Sequence, residues 1–268
     1  MGTCPHSLCA SMIEVVEFLL ETSKAKIESG FNGHTLLTEA MIAGHDKTLN
    51  YLLDNAVVDV NTKTRTGQTL LHFAAFQNNT EIVKKLVRDC SVNVEDSDDF
   101  YMRALYLAAF QGSVEMVQLL DKGEATAAKP TNAINTVLMI AATEGYADVI
   151  EYLLVKYNIQ VHGEVLKGKT MLDIAHDLGR LDVVKLLLLK GEGKLKIEKL
   201  LLNSLDNLQR NVKTRTSLEL AHLLINSGAP ISPEELTDDG LNILQFAADI
   251  GSLEVVQAIL ERNLLQVV

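Results

Sequence analysis

The chain repeats itself. Gly33, Gly67 and Tyr101 open successive stretches 34 residues apart, Ile134 follows 33 residues later, Gly168 a further 34, and Gly240 after 72, about two steps at once. A self-similar period of this length is the signature of stacked supersecondary units, none of which can bury its apolar face alone. Such a chain grows by adding layers, so its 268 residues do not translate into a count of globular domains.

The clearest unit runs from Gly67 to Phe100 and holds two short helical patterns. Leu70, Leu71, Ala74 and Ala75 share one helical face, and Ile82, Val83, Leu86 and Val87 share another. The same pair of patterns recurs as Leu36, Leu37, Ala40 and Met41 with Leu49, Leu52 and Leu53 in the unit before. It recurs again in the later units, down to Phe246, Ala247 and Ala248 with Val255, Val256 and Leu260. The paired alanines carry little side chain, which lets neighbouring helices approach closely. Gly44, Gly112, Gly145, Gly179 and Gly251 fall between the two patterns, where a helix stops and the chain turns back.

The spacing predicts one domain over residues 1–268, with units at 33–66, 67–100, 101–133, 134–167, 168–191 and 240–268. Residues 1–32, with one helical run at Ser11–Leu20, read as a degraded N-terminal cap, and 192–239 as a degenerate unit with an insertion. Where the pattern blurs the charge also changes sign: Lys185 to Arg215 holds eight Lys/Arg against three acidic residues. This stretch is a solvated helix face or a second docking surface for an acidic partner or anionic lipid.

Composition narrows the function classes. A formal net charge of -11 argues against nonspecific nucleic-acid binding, which needs a basic footprint, and favours a protein partner of basic or mixed charge. Three cysteines, with no signal-like leader, predict an intracellular, reducing setting, in the cytoplasm. No apolar run is long enough to span a bilayer.

The quoted residues resemble the ankyrin repeat, whose unit of about 33 residues opens T-P-L-H-x-A and comprises a β-turn and two antiparallel helices. Thr69-Leu70-Leu71-His72-Phe73-Ala74 matches that opening at five of its six places, counting the free one. The resemblance implies an all-α solenoid of helix-turn-helix units joined by β-turn or hairpin-like loops. It also carries departures. Leu36, Leu70, Ala104, Val137, Met171 and Ile243 stand where the motif has Pro, and its His survives only as His72. In the family that His braces the turn, so its loss elsewhere predicts looser turns and lower stability. The degenerate motifs are similar to those of divergent arrays in effectors of intracellular bacteria.

For function, the resemblance implies a non-enzymatic, monomeric scaffold that grips a protein or peptide on its concave face. The two positions after the paired alanines are the variable, exposed ones there: Phe76-Gln77, Phe110-Gln111 and Thr143-Glu144, with Asp177-Leu178 and Asp249-Ile250 beyond. Phe76 and Phe110 stand 34 residues apart and are either interface anchors or fillers between units. Phe31, Phe100, Met102 and Tyr106 fall on or near neighbouring tips and first helices, and Arg65 and Gln68 supply flanking polar contacts. Two further readings stay open: the targeting module of a larger enzyme or effector continuing beyond residue 268, and a regulatory subunit that masks a basic segment of its partner.

No residue set calls for chemistry. Cys4, His6 and Cys9 offer three metal ligands where structural zinc takes four, so no metal is expected. The histidines lack a nucleophile motif, phosphate-binding and zinc-protease signatures are missing, and no cofactor is expected. The acidic pairs Asp98-Asp99 and Asp238-Asp239 read as solvated turn tips.

Overall fold

The structure is a computed structural model that describes residues 35–55, 59–90, 92–100, 102–121, 132–161, 164–166, 168–191, 197–210, 214–227 and 242–265. Among these, fourteen helices and one short hairpin are formed. They divide into two compact units, residues 1–126 and 127–268.

In the first unit the helices come in pairs: α1 (Leu36–Ile42) with α2 (Asp46–Asp54), α3 (Leu70–Phe76) with α4 (Thr80–Asp89), and α5 (Ala104–Phe110) with α6 (Val114–Leu120). The first helices stack as α1, α3 and α5, and α4 stacks on α6 behind them. Each first helix has seven residues, too short to persist alone, so packing rather than propensity holds it. Leu37, Met41, Leu49, Leu52, Leu70, Leu71, Leu86 and Met116 are fully buried. Ala74, Ala75, Ala108 and Ala109 are 0% exposed, as close helix approach requires.

The second unit has α7 (Asn132–Glu144) with α8 (Ala147–Tyr157), the hairpin β1 (Glu164–Leu166) and β2 (Lys169–Thr170), and α9 (Met171–Asp177) with α10 (Leu181–Lys190). The pairs α11 (Glu198–Gln209) with α12 (Thr214–Asn226) and α13 (Ile243–Asp249) with α14 (Leu253–Leu265) complete it. Second helices stack in the order α8, α10, α12, α14, and α7 lies on α9. The degenerate stretch therefore does form a helix pair within the stack. Residues 228–241 lie outside the described residues, as do Cys4, His6, Cys9, Lys194 and Lys196.

Two of the expected core positions are exposed: Ala248, and Leu260 at 45%. Both lie in the last described layer. The second alanine of a pair faces the following layer, and the described residues supply none beyond α13 and α14.

The openings of the helix pairs are better braced than the motif losses suggest. At α3 the amide of Thr69 donates to Nδ1 of His72 at 3.2 Å. At α1 the amide of Thr35 donates to Oγ1 of Thr38 at 2.8 Å, at α9 that of Thr170 donates to Oδ2 of Asp173 at 2.8 Å, and at α13 that of Asn242 donates to Oε1 of Gln245 at 3.0 Å. Three chemically different side chains thus supply the acceptor that the motif assigns to histidine. The expected loosening of the turns does not hold at these openings, because the bond needs only a short acceptor at the third helical position. At α5, where Arg103 caps and Tyr106 takes that position, no side-chain cap forms.

Every first helix but α11, which Arg210 follows at φ -79°, is followed by a described left-handed residue. Gly44, Gly112, Gly145, Gly179 and Gly251 take positive φ there, and after α3 Asn78 does so at φ 54°. Asparagine tolerates this region because its short polar side chain can bond locally.

Candidate functional site

Between α2 and α3 the chain makes a tight tip. Gly67 donates its amide to the carbonyl of Thr64 at 3.0 Å, and Thr64 donates to the carbonyl of Gln68 at 2.9 Å. Oγ1 of Thr64 accepts the amide of Gln68 at 3.1 Å. Arg65 is exposed at this tip and Gln68 is half-buried. The next tip is built on Asp98, whose Oδ1 accepts the amides of Phe100 at 2.9 Å and Met102 at 2.8 Å. Asp98 is 7% exposed, so it is a turn-forming carboxylate and not the solvated one its neighbourhood in sequence suggests. Its engagement holds Phe100 outward, 72% exposed.

The two tips are joined. The amide of Asp99 donates to the carbonyl of Thr66 at 3.0 Å, and Nε2 of His72 lies 3.0 Å from the carbonyl of Met102. Because Nδ1 of His72 accepts an amide, Nε2 carries the hydrogen and donates to Met102. The expected bracing role of His72 is thus seen, with a second bond that reaches the following layer. Burial pushes its pKa below the ordinary histidine value, against the pull of the Met102 carbonyl and of Asp98 and Asp96.

Along the first helices of this unit, Ile42, Phe76 and Phe110 occupy equivalent last positions, at 34-residue intervals. They are 47%, 61% and 48% exposed. Phe76 and Phe110 therefore do not fill the core. Gln77 and Gln111 are exposed beside them, and the side-chain Nε2 of Gln77 donates to the carbonyl of Met41 at 3.2 Å, closing the end of the preceding first helix. Met102 and Tyr106 are half-buried. Ile42 was not among the residues singled out above; the sequence signal that finds it is the period itself, one step before Phe76. Phe31 lies outside the described residues.

Thr143 and Glu144 belong to the second unit and are half-buried. The carbonyl of Thr143 accepts Nε of Arg180 at 2.7 Å, and the Arg180 stem lies across Gly145. In that unit the same row continues as Asp177, paired with Lys169 at 2.7 Å, and Asp249. Apolar side chains thus mark this row in the first unit, and polar or acidic ones in the second. Of the basic stretch, Lys185, Lys190, Arg210 and Arg215 pair with Asp182, Glu151, Asp206 and Glu219, as on a charge-balanced surface.

One trio looks like chemistry and is not built for it. His176 Nε2 lies 2.7 Å from Oγ of Ser204, and Asp177 follows His176 in sequence. Ser204 is 0% exposed, however, and donates its proton to the carbonyl of Leu200 at 3.1 Å, so it presents no nucleophile to a substrate. Among the described residues no cluster of His, Cys, Asp and Glu suits a metal ion, and no helix is long and apolar enough to cross a membrane.

A family model described as ankyrin repeats (3 copies) matches residues 6–98, 56–129, 71–165 and 105–199. The chain belongs to the ankyrin-repeat family. The crystal structure of the human ASB11 ankyrin repeat domain is similar, at 25% identity and a TM-score of 0.61, with 85% of this chain and 98% of that chain covered. A comparison with curated proteins found no match. Ankyrin repeats are generally protein-interaction modules, and family and fold are typically non-enzymatic. In ankyrin terms, Ile42, Phe76 and Phe110 are the ends of the first helices of three successive repeats.

Proposed function

We propose that this ankyrin-repeat chain binds a protein or peptide along the first-helix row of its first unit, with Ile42, Phe76 and Phe110 as apolar anchors. The observation that carries the reading is the repetition itself: three equivalent positions are apolar and about half exposed or more. Single exposed apolar residues are ordinary on any surface, but three in register are not. Phe100 extends the apolar area from the neighbouring tip, and Arg65, Gln68, Gln77, Gln111, Met102 and Tyr106 flank it with polar and half-buried contacts. The mechanism is complementarity to a preorganised surface, without chemistry. The net charge of -11 favours a ligand that carries basic residues around its apolar ones, and the scarcity of cysteine supports an intracellular setting.

The test compares capture of binding partners by the native chain, by an Ile42→Ala/Phe76→Ala/Phe110→Ala variant, and by a Val155→Ala/Leu189→Ala control. The control residues are 69% and 80% exposed but lie in the second unit. With helicity equal by circular dichroism, the first variant should lose the partner and the control should keep it. Partner retention by the first variant would sink this reading.

A further inference from the structure

In successive first helices the second residue of the alanine pair is Ala75, Ala109 and Ala142, each 0% exposed. In α9 that place is taken by His176, which is 3% exposed. Its ring reaches the following layer, where Nε2 stands 2.7 Å from Oγ of Ser204 on α11. The Ser204 hydroxyl has a single proton, which it gives to the carbonyl of Leu200 at 3.1 Å. With the Ser204 proton on that carbonyl, Nε2 carries the hydrogen of the neutral ring and a lone pair is left on Nδ1. That Nδ1 is buried and makes no hydrogen bond of ordinary length; it faces Oδ1 of Asp177 at 3.7 Å, a contact that becomes an ion pair only when the ring is protonated. A buried polar atom left unpaired in this way calls for an explanation.

We propose that the His176–Ser204 contact is a proton-sensitive joint: uptake of a proton at Nδ1 puts a buried imidazolium between α9 and α11 and loosens α11 from the stack in mild acid. The charged groups around it set the balance. On α9 itself, Asp177 and Asp173 favour the charged ring, but Asp177 is already bound by Lys169 of β2 at 2.7 Å, and Asp173 by the Thr170 cap. Among the described side chains of α11, the Ser204 hydroxyl and, from the backbone, the Leu200 carbonyl are in direct contact, with Lys199 exposed and Asp206 paired to Arg210. Of the other elements packed on α9, α7 carries Glu144, while α10 carries Asp182 and Lys185, paired to each other, and Lys190, paired to Glu151. Burial outweighs the acidic groups and holds the ring below its ordinary pKa. The unfolded or opened state then binds the proton more readily. The joint is fully formed above about pH 6.5 and loses stability as pH falls through the folded-state value.

The test is hydrogen exchange, corrected for intrinsic rates, at about pH 7.5 and pH 5.5, comparing peptides of α11 with those of α7 and α8. In the native chain α11 should lose protection selectively in acid, by up to about tenfold for each unit of pKa depression. His176→Gln, which can still donate to Ser204 but does not titrate, should abolish that selective loss, and so should His176→Ala. A loss that persists in His176→Gln would assign it elsewhere and overturn the proposal. Should His176→Gln fail to fold, the native chain decides by NMR: a His176 ring that titrates at or above the ordinary histidine value overturns the joint, and one that titrates below it upholds it.

Discussion

His72 gives one nitrogen to its own turn and the other to the next layer, and only the neutral ring can do both. A proton on Nδ1 would face the amide of Thr69. The folded-state pKa lies below the ordinary value, so protonation favours the unfolded chain. The stabilising contribution is present above about pH 6.5 and is lost as pH falls through the folded value. The chain itself suggests the control, since Gln245 fills the same position in α13. His72→Gln should keep the cap, cost about 0.5–1.5 kcal/mol at neutral pH for the lost bond to Met102, and flatten part of the pH slope of urea midpoints. An unchanged slope would show that His72 does not titrate against folding. At this scale the sequence was only half legible. The turn role of His72 follows from its motif, whereas the contact between His176 and Ser204 joins residues 28 apart whose meeting depends on where a degenerate helix docks.

At the scale of the element, the period located the helices and the paired alanines located their buried faces. The turns were misjudged, because motif letters stand for chemistry that other letters can supply. Thr38, Asp173 and Gln245 accept the same amide bond as His72. A pattern search sees three losses where the backbone sees three acceptors. The opposite end of the helix offers a test of the same reasoning. Asn78 holds φ 54° where α1, α5, α7, α9 and α13 are followed by glycine. Asn78→Gly should therefore raise stability by roughly 0.5 kcal/mol, read as a higher urea midpoint, because the left-handed penalty outweighs the entropy lost by glycine at such a site. A lower midpoint would mean that the Asn78 side chain contributes more than its backbone costs.

For the molecule as a whole, layers are held only by their neighbours, so damage should stay local and fade with distance along the stack. Gly67 is the place to see this. It takes φ +75°, and a Cβ there would stand 2.9 Å from the backbone nitrogen of Asp99 and 3.1 Å from Cα of Asp98, both in the next tip. Gly67→Ala should cost about 2–4 kcal/mol, the sum of left-handed strain and overpacking. Its hydrogen-exchange signature should be largest in α3 and α5 and smaller in α1. Uniform loss across these helices would mean that the first unit unfolds as one body. The layered architecture was legible from the period. The apolar row was legible at Phe76 and Phe110, while Ile42 is an aliphatic residue on a short apolar helix, where sequence does not separate an exposed position from a buried one.

That row is also a ruler. Its marks are carried by neighbouring helices, which pack about 8–10 Å apart. An extended strand shows a same-face side chain about every 6.6 Å and falls out of step by the second mark. A polyproline helix returns the same face about every 9.3 Å, and an α-helix every two turns, about 10.8 Å. If the row is the binding surface proposed above, the stack measures its ligand in strides, and a chain walking with the wrong step touches one rung but not three.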